Sequence, residues 1–298
     1  MKRTLVLTTL TLSLLLTLGP RAAAQIRRKV INSGPAAPAG KLPPLIRDTA
    51  APIPTQPTII LATVNGTVVN VVNGAATVPQ TPMLSGQSVK QFIGMTRAGS
   101  KLYGLTSAYA PELLAFRSRL FTITGSNTTL NAGVALIMPS TGICGGAGDL
   151  AYDKSGNTLY ATCLDSVWKL VTINPVSGGV TEVGPMPVPQ GGQSPQYAGL
   201  AFSPTGELYA LDTMNRRLLM LDKQNPVNNY SVITLTAAGQ LPNPSPTGSL
   251  GFNDDGGLFA SFGNQLIAIN SLTGEVAQVG AGTYTGLVVS GGGLVVHN

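Results

Sequence analysis

Apolar residues along this chain come in short runs separated by turn residues, a pattern typical of β-strands. The stretch from Gly148 to Gly184 shows it most clearly. Two runs flank a turn at residues 154–157, and two more flank a turn at residues 174–179. A four-stranded unit of about 40 residues is the signature of a β-propeller blade when it recurs. The predicted strands of this unit are residues 150–152, 158–161, 168–173 and 180–183.

The first two strands of such a unit recur along the chain with similar residue types. They share Leu, then Ala or Gly, an aromatic, a Gly-containing turn and finally Leu-aromatic-Ala; the first unit matches more loosely. The predicted inner halves are residues 92–104, 149–161, 199–210 and 249–260, and the outer halves are residues 116–137, 168–183, 218–235 and 266–279.

The chain ends complement each other. Residues 67–78 form an outer half without an inner one, and residues 285–289 with 294–296 form an inner half without an outer one. We therefore expect an all-β fold, a five-bladed propeller of four-stranded blades closed by strands from both termini, which removes exposed sheet edges. In one alternative, residues 59–64 supply an inner strand and displace residues 294–296. In another, a sixth, degenerate blade lies around residues 80–90.

One repeat resembles a known family. The run LYALDTMNRRL, from Leu208 to Leu218, is similar to the NHL-type propeller repeat, in which an apolar strand leads into Ala-x-Asp-x-x-Asn and a basic residue. The other units keep only the Leu-aromatic-small part. The resemblance implies a propeller whose polar face serves mainly for binding.

The N-terminus predicts export. Lys2 and Arg3, the apolar run 5–18 and the small residues 22–24 form a secretory signal peptide, cleaved after Ala24. About 14 apolar residues are too few to span a bilayer comfortably. Residues 25–57 are rich in Pro and Ala and predict a disordered linker. We expect the propeller domain to cover residues 58–298 of a monomeric periplasmic or extracellular protein without a membrane span.

The positive net charge does not indicate a nucleic-acid partner. Of the 18 Lys and Arg residues, eight precede Thr58, whereas the predicted propeller domain holds ten basic and eleven acidic residues. Charged residues are only 10% of the chain, against about 25% in an average domain. Because no basic face with interleaved aromatics is present in that domain, we expect no nucleic-acid binding.

Polar residues at strand ends are the candidate ligand-binding residues. We expect them to gather on the propeller face that holds the starts of the first strands and the turns between second and third strands. Their carboxylate and amide oxygens could hold Ca²⁺ or a hydrolytic metal; alternatively they cap turns and strand ends. The candidates are Asp149, Asp165, Asp212, Asn215 and Asn264, with Tyr109 and Glu112 in a long loop nearby.

The two cysteines, Cys144 and Cys163, flank one predicted hairpin. In an exported protein this favours a disulfide that closes a loop of about 20 residues and stabilises the fold by about 3 kcal/mol. His297 is the single histidine, so a Ser-His-Asp triad or a multi-histidine metal site is not expected, and no catalytic residue is predicted.

The pattern as a whole favours a secreted, non-catalytic binding module that recognises a protein or glycan through its loop face. It requires no cofactor. The alternative is a Ca²⁺-dependent hydrolase or lactonase-like propeller enzyme. A purely structural role in the cell envelope is a third hypothesis.

Overall fold

The computed structural model is all β within the residues that it describes. These are residues 58–62, 68–72, 75–76, 83–84, 87–88, 92–110, 115–124, 129–130, 134–136, 146–263, 265–283 and 294–297. The signal peptide predicted at 1–24 and the linker predicted at 25–57 lie outside them. No helix in these ranges is long and apolar enough to cross a membrane.

Three consecutive sheets are regular antiparallel meanders of four strands. In each, the Leu-aromatic-Ala pattern predicted for the second strand falls on a buried strand next to the innermost one. The second sheet consists of β11 (Gly146–Asp153), β12 (Thr158–Leu164), β13 (Trp168–Ile173) and β14 (Val180–Pro185); the third of β15 (Tyr197–Phe202), β16 (Leu208–Asp212), β17 (Arg217–Leu221) and β18 (Tyr230–Thr234); the fourth of β19 (Gly248–Phe252), β20 (Leu258–Phe262), β21 (Gln265–Ile269) and β22 (Val276–Thr283).

A further four-stranded sheet joins the two ends of the chain, as the unpaired halves predicted. It contains β1 (Thr58–Ala62), β2 (Val68–Val72), β3 (Ala75–Ala76) and β23 (Leu294–His297), in the order β23-β1-β2-β3. The predicted placement of residues 294–296 as a second strand is wrong. Instead β1 pairs with both β2 and β23, and the C-terminal strand is innermost. The predicted first strand at residues 285–289 lies outside the described residues.

The sheet of the first unit has seven strands. Its strand order is β5-β4-β9-β8-β7-β6, with β10 also paired to β8. The strands are β4 (Met83–Leu84), β5 (Gln87–Ser88), β6 (Phe92–Ala98), β7 (Lys101–Ala110), β8 (Ala115–Thr124), β9 (Thr129–Leu130) and β10 (Val134–Ala135).

The predicted number of blades is therefore corrected. The described residues show four regular four-stranded blades, not five or six. The short strands within residues 80–90, where a sixth blade was considered, pair with each other and with β9 and so belong to the seven-stranded sheet. The long β7–β8 hairpin, which pairs from Leu102 to Ala110, carries this sheet well beyond the usual blade length.

The innermost strands β6, β11, β15, β19 and β23 lie side by side around one axis, and β23 returns to contact β6. Apolar clusters fill the spaces between successive sheets, and the last of them joins Val295 of β23 to Phe92 and Met95 of β6. The inner strands approach closely: a Cβ on Gly94 would lie 2.7 Å from the backbone N of Leu150. This radial packing of sheets is a β-propeller.

Candidate functional site

Asp149 is fully buried near the propeller axis and joins three innermost strands. Its Oδ1 accepts a hydrogen bond from the backbone N–H of Leu150 at 2.8 Å. Its Oδ2 accepts from the N–H of Leu200 at 3.0 Å and from the N–H of Leu250 at 3.2 Å. The inner edge of a propeller sheet has no further strand to pair with, so these N–H groups need such a partner. Asp149 thus satisfies the strand edges around the axis.

Ser249 extends this network to the C-terminal strand. Its hydroxyl donates to Oδ2 of Asp149 at 2.8 Å, and its Oγ accepts from the N–H of Leu294 at 2.8 Å. Burial raises the pKa of Asp149 well above its usual range, and the hydrogen bonds from neutral donors only partly oppose this. Its carboxyl group is therefore bound to the fold itself.

The structure brings Asp212, the last residue of β16, together with Asn215 in the turn between β16 and β17. Oδ2 of Asp212 accepts from Nδ2 of Asn215 at 2.7 Å, and Oδ1 accepts from the N–H of Gln196 at 3.1 Å. Asn215 also exchanges hydrogen bonds with the backbone of Gln193. The pair ties the turn to the segment that leads into β15, which is the capping role considered for these residues.

The other candidates do not join this pair. Asp165 is exposed in the β12–β13 turn, where its carboxylate lies 3.5 Å from Nζ of Lys169. Asn264 and Glu112 lie outside the described residues, and Tyr109 lies in β7. Among the described residues, no group of three or more His, Cys, Asp or Glu side chains is arranged to hold a metal ion.

A cavity of 920 Å³ opens at the opposite end of the axis, among the turns that link first and second strands. We call it the axial funnel. Its floor is formed by one residue from each innermost strand, and all five are almost completely buried. These floor residues are Met95, Leu150, Leu200, Leu250 and Leu294.

The side chains two residues further along each innermost strand line the funnel above its floor. Tyr152, Phe202 and Phe252 occupy this position in the second, third and fourth sheets, and each is half-buried. Arg97 occupies it in the first sheet and Val296 in the closing sheet. Sequence reasoning missed the funnel because the Leu-small-aromatic triplet was interpreted only as a strand pattern. The recurrence of this triplet in three successive units was the signal in the sequence that could have indicated a shared cavity.

An ion pair crosses the rim of the funnel between the second and third sheets. Asp153, which is 2% exposed, pairs with Nζ of Lys223, and this ammonium also lies 5.7 Å from the ring centre of Phe202. Burial raises the pKa of Asp153, but hydrogen bonds from Lys223, Ser155 and Gly156 together lower it below its usual value. The carboxylate is therefore charged and compensated at neutral pH.

Cys163 is completely buried in β12, paired across the sheet with Ala147 and Lys169. Cys144 lies outside the described residues. The disulfide between them stays a prediction.

No family model matches the chain, and no curated protein matches it in sequence. Solved structures of propeller-type proteins are similar to it at low identity. The Malassezia sympodialis allergen Mala s 1 is 14% identical, with a TM-score of 0.45, covering 76% of this chain and 74% of its own. Virginiamycin B lyase from Staphylococcus aureus with quinupristin is 11% identical, with a TM-score of 0.40 and 73% of this chain covered.

A protein of unknown function from Bacteroides thetaiotaomicron is 15% identical, with a TM-score of 0.45, covering 76% of this chain and 60% of its own. This chain spans 64% of the length of the lyase chain. The solved structures similar to this chain are thus propeller-type proteins, and the likeness concerns the fold alone.

Proposed function

We propose that this chain is an exported, non-catalytic binding module that recognises a protein or glycan through loops around the propeller axis. The axial funnel carries the proposal. It is a preformed concave site on a rigid scaffold, its mouth lies among turns from several sheets, and its volume falls in the range of about 300–1,000 Å³ typical of ligand sites.

The state of the buried carboxylates supports binding rather than catalysis. Asp149 is held by three backbone N–H groups and a hydroxyl, and Asp212 by backbone and amide N–H groups. Asp153 is compensated by Lys223. A general acid or base must reach a substrate proton, whereas these oxygens already accept hydrogen bonds from the fold.

Further proposals accompany this function. The seven-stranded sheet takes the place of a fifth blade, because its strand β6 completes the circle of innermost strands. The repeat belongs to the NHL type, and a disulfide joins Cys144 to Cys163. The protein is exported by its N-terminal signal peptide and is monomeric.

A thermal-shift screen of peptides and glycans tests the proposed function. A ligand that binds the native state raises the unfolding midpoint. Thr96 lies half-buried in the funnel wall, so Thr96→Trp should fill the mouth without disturbing the core. We expect a true ligand to stabilise the wild type and not the filled variant. A ligand that stabilises both equally binds elsewhere and contradicts the use of the funnel.

The same thermal-shift assay distinguishes the binding module from the Ca²⁺-dependent hydrolase alternative. Selective Ca²⁺ binding must raise the midpoint and chelation by EDTA must lower it. A Ca²⁺-dependent shift that is lost in Asp212→Asn would favour the enzyme. An unchanged midpoint with both additions would leave that alternative without its mechanism.

A further inference from the structure

The axial funnel is apolar at its base. The four floor leucines and Met95 are 0–2% exposed, and the small residues Ala151, Ala201 and Gly251 line the cavity beside them. A ligand that descends the funnel therefore meets hydrocarbon, which favours an apolar body over a strongly hydrated one.

Half-buried aromatic rings line one side of the funnel. The ring of Phe202 packs edge-on against Tyr160 at 5.3 Å, and Phe252 packs against Tyr209 at the same distance. These contacts hold the rings in place. Because they are fixed before binding, the half-buried parts of the rings that line the funnel offer apolar surface at little entropic cost.

The mouth also carries two exposed cations from neighbouring sheets, Arg97 on β6 and Lys154 after β11. Neither forms an ion pair with another described residue, whereas Lys223 is compensated by Asp153. Asp254 is a further acidic residue of the lining, besides Asp153. The two cations thus line the same cavity as Phe202 and Phe252.

The inner strand edges beneath the floor are not available to a peptide. The N–H groups of Leu150, Leu200 and Leu250 are already bound by Asp149. A peptide could not add to these edges as a further strand. The funnel is therefore suited to a compact ligand held by its body and its charge.

We propose that the axial funnel binds a small amphipathic anion, a carboxylate or sulfonate carried on a flat apolar body. The body packs against Phe202 and Phe252, and the anionic group faces Arg97 and Lys154. This inference rests on the part of the proposed function that makes the funnel a ligand site, and it adds a ligand class besides proteins and glycans.

Two fluorescent probes with the same rings test the charge requirement: anilinonaphthalene sulfonate and its uncharged parent, phenylnaphthylamine. Each is titrated into the purified protein and its dissociation constant measured. We expect the sulfonate to bind roughly fivefold or more tightly than the neutral probe, with an advantage that falls as salt is raised.

Single variants locate the charge effect. Arg97→Gln and Lys154→Gln should each weaken the sulfonate and leave the neutral probe unchanged. Lys169→Gln is the matched control, because it removes one positive charge at the other end of the propeller, where Lys169 pairs with Asp165 and Glu182. It should leave both probes unchanged. Thr96→Trp should weaken the binding of both probes, because the indole fills the mouth of the funnel.

The outcomes separate this proposal from the function on which it rests. If both probes bind with equal dissociation constants and Thr96→Trp weakens both, the funnel binds ligands but the proposed preference for an anion is contradicted. If Lys169→Gln weakens the sulfonate as much as Arg97→Gln does, the preference belongs to net charge and the assignment fails. If neither probe binds, or Thr96→Trp weakens neither, the small-anion assignment fails, and the peptide and glycan screen still tests the proposed function separately.

Discussion

Strand β11 contains two buried aspartates that belong to different regions of the molecule. Asp149, at the axis, accepts only neutral donors, from residues up to 101 positions away in the chain. Asp153, at the rim of the funnel, accepts from the ammonium of Lys223 and from its own turn. Both side chains are almost completely shielded from water.

The difference shows that burial alone does not decide what a carboxyl group does. Without a neighbouring cation, burial raises the pKa of Asp149; with Lys223 beside it, the pKa of Asp153 falls despite burial. The axial residue stabilises the closure of the ring, and the rim residue joins two adjacent sheets.

Removing the axial carboxylate should have the largest effect on stability. Asp149→Ala leaves the N–H groups of Leu200 and Leu250 and the hydroxyl of Ser249 without their acceptor. At about 1–3 kcal/mol for each of these three buried unsatisfied groups, we expect a loss of about 3–9 kcal/mol in the free energy of unfolding. Urea denaturation measures it.

Ser249→Ala is the companion variant, because it removes one donor to Asp149 and the acceptor of the Leu294 N–H. It should cost less than Asp149→Ala. Equal costs would show that the connection to the C-terminal strand, rather than the axial carboxylate, dominates.

The predicted disulfide should rank next. Cys163 pairs with Ala147 near the start of β11, two residues before Asp149. A bond from Cys163 to Cys144 would therefore stabilise the same part of the second sheet as Asp149. Cys163→Ser should lower the free energy of unfolding by about 3 kcal/mol. Mass spectrometry of the unreduced protein provides the check on the bond itself, and two alkylatable thiols would contradict it.

The two aspartates should respond to pH with opposite signs. A carboxyl group whose pKa is raised by folding stabilises the protein most at a pH below its pKa in the unfolded chain, which is about 3.9. This contribution to the free energy of unfolding falls as the pH rises towards the pKa in the folded state. A carboxyl with a lowered pKa contributes above about 3.9 and loses this as the pH falls. The free energy of unfolding of the wild type should therefore exceed that of Asp149→Asn by less as the pH rises. It should exceed that of Asp153→Asn by more as the pH rises.

Chemical denaturation at a series of pH values measures both differences against the same wild type, which cancels the titration of all other groups. Parallel pH profiles for the two variants would refute the contrast between the axis and the rim.

The smallest effect is expected in the β16–β17 turn. Asn215→Ala removes hydrogen bonds to Gln193 and Asp212 in a half-exposed position. The expected cost is about 1 kcal/mol, since water replaces part of what is lost. A thermal midpoint that changes as much as that of Asp149→Ala would place the turn among the main supports of the fold.

The repeats of the chain were sufficient to predict the propeller and the joining of its termini, since period-two alternation and turn residues are local signals. They were insufficient for the first unit. The strands Met83–Leu84 and Thr129–Leu130 pair in parallel across 46 residues, and two-residue strands carry no periodicity. The position of β1 likewise depended on a pairing with β23 at the far end of the chain.

The candidate site divides in the same way. The spacing of Asp212 and Asn215 within one turn was visible in the sequence, and the structure brings them together. The sequence also contained the repeated Leu-small-aromatic triplet and the aspartate at position 149. Only the tertiary structure decided that the triplets converge on one axial funnel and that Asp149 closes the axis behind it, because both depend on strands about 50 residues apart meeting around a common axis.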